Sequence, residues 1–94
     1  MIIPRPNAAT DGWYIQWVID DEGITTDEVV AALRKAKIIS SRTKYSITQS
    51  RIEYGGRMVF YKEFKDSTKA MAFAKKLRHY IWTNHGSALP IPEE

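Results

Sequence analysis

The pair Gly55-Gly56, set between two β-rich runs, limits what this chain can fold into more than any other feature. Both positions of a tight two-residue hairpin turn need positive φ, which glycine adopts without strain. The run after the pair, residues 57–64, brings Val59, Phe60, Tyr61 and Phe64 close together and predicts a strand at the centre of a sheet. With a two-residue loop, paired residue numbers add to 111. Ile52 then faces Val59, Ser50 faces Tyr61, and Ile47 faces Phe64. One sheet face collects Ile47, Met58, Phe60 and Phe64, and the other Ser50, Ile52, Tyr54, Arg57, Val59 and Tyr61. Arg51 and Glu53 fall on the first face, which predicts a hairpin tip projecting beyond the core. A bulge near Gln49 is the alternative.

Upstream, residues 13–20 alternate. Trp13, Ile15, Trp17 and Ile19 share one face of a strand, and Tyr14, Gln16, Val18 and Asp20 the other. Asp21-Glu22-Gly23 ends it as a turn. A helix starts at Thr25, which forms a capping box with Glu28 while Ile24 staples onto Val29. Val29, Ala32, Leu33 and Ala36 make its buried stripe. Acids in its first turn and Arg34, Lys35 and Lys37 in its last suit the helix dipole, so these three bases need no ligand to explain them. A polar loop over residues 40–44 leads to a weaker strand over 45–54.

Asp66 or Ser67 caps a second helix whose buried stripe is Ala70, Phe73, Ala74, Leu77 and Ile81. Trp82 is expected to close one end of the core, with Arg78 one turn before it in reach of its ring. Lys69, Lys75, Lys76, Arg78 and His79 fill the rest of this helix surface, and Asn84-His85-Gly86 is the stop signal. The chain reads as one domain over 1–94. It has an extended arm (1–11), a folded core (12–86) and a Pro-containing tail (87–94) that forms at most a short edge strand.

Composition removes several function classes. There is no cysteine, so disulfides and thiolate metal sites are excluded. No apolar run is long enough to span a bilayer, and Pro4 interrupts the first residues too early for a signal peptide. A cytoplasmic, soluble protein without a membrane partner is expected. The net charge of +3 is unevenly spread. Residues 1–33 hold one base against six acids, net −5, whereas residues 34–85 hold thirteen bases against three acids, net +10. A basic second half favours anionic partners, although surface lysines also serve solubility alone. No Ser/His/Asp set or phosphate-cradling glycine loop is present, and His79 and His85 lie too far round a helix to share a zinc ion. No cofactor is implied and catalysis is not expected.

The order β-α-β-β-α, with right-handed crossovers, predicts an α+β fold: a ferredoxin-like split βαβ with an antiparallel sheet and both helices on one face. A short C-terminal edge strand would complete it. Over roughly residues 13–81 the topology and spacing resemble the RNA-recognition motif. Ile24-Thr25-Thr26-Asp27-Glu28-Val29 sits where that family starts its first helix, and Phe64-Lys65-Asp66-Ser67 matches its passage into the second. The resemblance implies Tyr14, Val59 and Tyr61 at exposed stacking positions, with Arg57 at a basic position and Phe64 at the last position of the second-strand motif. Met58 and Phe60 depart from the family's small residues.

Two binding functions follow from an open face bearing Tyr14, Val18, Ile52, Tyr54, Arg57, Val59 and Tyr61. In the first, nucleic acid or a nucleoprotein complex meets Tyr14, Tyr54, Arg57, Val59 and Tyr61, while Lys62, Lys75, Lys76 and Arg78 supply charge. In the second, the face docks a host protein, as in small phage-encoded effectors such as anti-CRISPR proteins, which this chain resembles in format. The same face can also join a second copy. A third reading takes Asp20 as a metal ligand, because small ferredoxin-like nucleases of CRISPR systems carry an aspartate at the end of the first strand.

Overall fold

The computed structural model describes residues 4–21, 23–49 and 57–90. Among these residues the chain forms β1 (Asn7–Ala9), β2 (Gly12–Ile19), α1 (Thr26–Lys35), β3 (Ser46–Gln49), β4 (Met58–Phe64) and α2 (Ser67–Thr83). The four strands make one antiparallel sheet in the order β1-β2-β4-β3, and with two helices the fold is α+β. β4 is central, as its apolar run predicts. β2 alternates as expected: Ile15, Trp17 and Ile19 are buried, and the intervening residues are not.

Both helices feed one core against that face. Val29 and Leu33 of α1 and Ala74, Leu77 and Ile81 of α2 join Ile15, Trp17, Ile19 and Phe60. The α1 start is the predicted capping box. The Glu28 amide donates to Thr25 Oγ1 (3.2 Å) and the Thr25 amide to Glu28 Oε1 (3.1 Å). Ala36, expected in the buried stripe, is instead the exposed C-cap of α1. Lys37 then turns left-handed (φ 61°), and the Ile38 amide donates back to the Leu33 carbonyl at 2.9 Å. This closure takes Ile38 and Ile39 into the core in place of Ala36. Asp66 caps α2 by accepting from the Thr68 amide (2.8 Å), and α2 ends in the same closure with His85 left-handed and the Gly86 amide on Ile81.

Three further expectations are corrected. The first is register. Ile47 pairs with Phe60, Thr48 with Val59 and Ser46 with Tyr61, so paired numbers add to 107 rather than 111. A two-residue-loop register would set Arg51 opposite Phe60 on the covered face; the observed one sets Ile47 there, where it packs against the core. A shift of four residues is even, so Ile47, Met58, Phe60 and Phe64 still share a face. Ile52, Tyr54 and the Gly55-Gly56 turn lie outside the described residues.

The second correction concerns the sheet edge. Residues 87–90 form no strand, and the edge beside β2 is taken by β1, from the supposed arm. Ala9 pairs with Gly12 across a two-residue turn. Gly12 has φ 149°, and a Cβ there would run into the Phe64 carbonyl oxygen, so only glycine fits between β1 and β4. The tail is built into the fold in a different way. Ser87 Oγ and the Ala88 amide both donate to the Asp21 carboxylate, which seats Ala88 in the core. Third, Trp82 does not close the core. It is 74% exposed, and the end of the core is closed by Tyr80, whose hydroxyl donates to the Ala88 carbonyl at 2.7 Å.

Candidate partner-binding face

Strand parity builds the face turned away from the helices. β2 places Tyr14, Gln16, Val18 and, just past its end, Asp20 there. β4 adds Val59, Tyr61 and Glu63, with Arg57 just before it, and β3 adds Ser46 and Thr48. Tyr14 pairs with Glu63 and Gln16 with Tyr61, which makes the two tyrosines diagonal neighbours. Long side chains reach across that diagonal. The rings stack, with centroids 5.4 Å apart and planes 28° from parallel. Tyr61 also donates its hydroxyl to Glu63 Oε1 at 3.0 Å. Partial desolvation, and then that bond to the carboxylate, raise the Tyr61 pKa above its ordinary value, so the phenol stays a neutral donor through the physiological range.

Val59 lies between its cross-strand partners Val18 and Thr48 and is only 6% exposed, so it forms the floor of the face. Arg57 Nε contacts Asp20 Oδ1 at 3.2 Å, with both side chains more than half exposed. Asp20 is therefore occupied by a base on this face, and Asp21 by the tail. Among the described residues no group of three His, Asp or Glu side chains is placed to hold a metal ion.

The residues expected to supply charge are elsewhere. Lys62 pairs with Ile15, so it points to the helix side of the sheet. Its ammonium donates to the Lys44 carbonyl (3.0 Å) and lies 4.7 Å from the centre of the Phe64 ring. Desolvation there lowers its pKa. Lys75, Lys76 and Arg78 ride on α2, also on the helix side. The candidate residues thus separate into an aromatic face with Tyr14, Arg57, Val59 and Tyr61, and a basic side with Lys62, Lys75, Lys76 and Arg78. Tyr54 lies outside the described residues. Glu63, Ser46 and Thr48 belong to the face and were not singled out from sequence; for Glu63 the parity with Tyr61 was the available signal.

The fold and site define a small α+β domain with a tyrosine-bearing sheet face. Comparison with protein-family models, with curated proteins and with solved structures finds no match for the chain. Among the described residues no helix is long and apolar enough to cross a membrane.

Proposed function

We propose that this chain is a non-enzymatic binding protein whose helix-free sheet face, centred on Tyr14 and Tyr61, docks a protein partner. One observation carries the reading: the stacked pair Tyr14–Tyr61 and the bases of α2 lie on opposite sides of the sheet. Glu63 borders the stacked tyrosines, and at the far end of the same face Arg57 is paired to Asp20. A face that holds two acids and a neutralised arginine is poorly suited to a phosphate backbone. It suits a protein surface, where tyrosines act as anchors with little conformational entropy to lose. Within this reading the frame is a ferredoxin-like split βαβ whose edge strand comes from the N-terminal side. A cytoplasmic host protein machine, the kind of target small phage-encoded inhibitors act on, is the narrower form of the same proposal.

The test is capture from nuclease-treated lysate by immobilised wild-type, Tyr14→Ala and Tyr61→Ala proteins, alongside anisotropy titrations of bare oligonucleotides. Retention of one protein by the wild type, and at least about ten-fold weaker capture by both variants with unchanged circular dichroism, is the expected result. Capture indifferent to both substitutions overturns the reading. So does tight oligonucleotide binding that Tyr61→Ala weakens, which would restore base stacking.

A further inference from the structure

α1 and α2 leave an open groove of about 690 Å³ between them. Its floor is apolar, with Ala32 and Tyr80 from the helices and Ile38 from the turn after α1. Its rim is basic: Lys35 comes from α1, and Lys75, Lys76 and His79 come from α2. A second depression shares Ile38 and Lys76 with the first and adds Arg34 and Lys37. No acidic side chain lines either one among the described residues.

The α1 dipole accounts for the bases of α1. It does not account for Lys75 and Lys76, which stand in the middle of α2, where no acid follows the cap Asp66. Neither lysine takes part in a salt bridge among the described residues. Lys76 is nevertheless fixed, because its ammonium donates to the Lys37 carbonyl at 3.2 Å and so spans from α2 to the end of α1. A positioned cation costs less to order on binding than a free one.

We propose that this groove docks an acidic, amphipathic segment of a partner polypeptide. Its carboxylates would meet the lysine rim, and its apolar side chains would lie on the Ala32–Ile38–Tyr80 floor. A sugar-phosphate backbone would use the rim and leave the floor unfilled, so the peptide is the better fit. The site stands on the far side of the sheet from Tyr14 and Tyr61 and does not depend on what binds there.

The probe is a fluorescein-labelled peptide of about twelve residues with Leu at helical spacing and Glu elsewhere. It is titrated against the full chain beside an all-Glu peptide and an oligonucleotide of equal length. The Leu/Glu peptide should bind tightest. Lys75→Glu combined with Lys76→Glu should weaken it at least about ten-fold, as should Lys35→Glu on the facing helix, whereas Tyr14→Ala should leave it unchanged. Lys35→Glu keeps the test sound should the α2 variant unfold. Equal binding of the all-Glu peptide, tighter binding of the oligonucleotide, or indifference to Lys35→Glu would each overturn the proposal.

Discussion

The two faces of the sheet are cut from the same alternating strands, yet they hold their aromatic rings in different ways. On the covered face Phe60 is fully buried, with Tyr45 and Phe73 stacked near it at centroid distances of 5.7 and 6.0 Å and Trp17 tilted at 6.3 Å. Strand, loop and helix all contribute to that cluster. On the other face Tyr14 and Tyr61 rest on each other and on neighbouring strands, and both stay half-buried. Rings wedged between layers exclude water on all sides, whereas rings laid on a sheet keep one side wet. The covered face therefore stabilises the fold, and the other can lose its rings with the fold intact. A surface whose aromatics matter little to stability is free to serve a partner.

The sharpest challenge to this contrast is a pair of neighbouring truncations. Phe60→Ala should cost about 3–5 kcal/mol, the usual loss for a fully buried ring. Tyr61→Ala, one residue along, should cost far less, since it loses a solvent-facing stack and one hydrogen bond. Urea unfolding of the two variants decides. Equal losses would mean that Tyr61 is as enclosed as Phe60, and the two-face distinction would fall. Next in size is Tyr80→Phe on the covered side, expected to cost about 1–2 kcal/mol because the Ala88 carbonyl is left without its donor. Burial, and secondarily the charge of Asp21, raise the Tyr80 pKa above 10.0. The folded state therefore holds this proton more tightly than the unfolded chain. The resulting stability is complete below pH 10.0 and is lost as pH rises through the folded value. The alkaline fall in melting temperature should be shallower in Tyr80→Phe than in the wild type.

How far the sequence reaches can be seen at single residues. Period-two alternation assigned Ile15, Trp17 and Ile19 to the covered face, and an even slip of register left Ile47 and Phe60 on that face as well. Local chemistry placed the Thr25–Glu28 box and narrowed the second cap to Asp66 or Ser67, of which Asp66 is the one used, since each needs only a few adjacent residues. What could not be read were consequences of contacts distant in sequence. The edge strand Asn7–Ala9 depends on Gly12 meeting Phe64, and the prolines and alanines before Gly12 offer no β-rich run that marks a strand. Tyr80 rather than Trp82 turned inward because the tail, held by Asp21, offered a carbonyl to a hydroxyl. Alternation names a residue's face but not its depth: Val59 is buried on the face away from the helices, and Lys62 lies among rings on the covered one.

Lys62 also supplies the finest test of the contrast, because it is a charge on the side that should not tolerate one. Its stem can lie along the core edge while its ammonium reaches the Lys44 carbonyl and the Phe64 ring. Those contacts offset its desolvation without erasing it, as the lowered pKa records. Lys62→Met keeps the stem and removes the charge, so it should change stability at pH 7 by less than about 1 kcal/mol, in the stabilising direction. The pH dependence gives a second, independent sign. With its folded pKa below 10.5, Lys62 releases its proton earlier in the folded state than in the unfolded chain, so its contribution to stability rises as pH climbs toward 10.5. Tyr61 and Tyr80 act in the opposite sense above pH 10.0, and comparing wild type with Lys62→Met at each pH cancels them. The stabilising difference should therefore narrow from pH 8 to pH 10. A variant less stable by more than about 1.5 kcal/mol at pH 7, or a difference that widens with pH, would show that the ammonium supports the covered face, and the division of labour between the two faces would need redrawing.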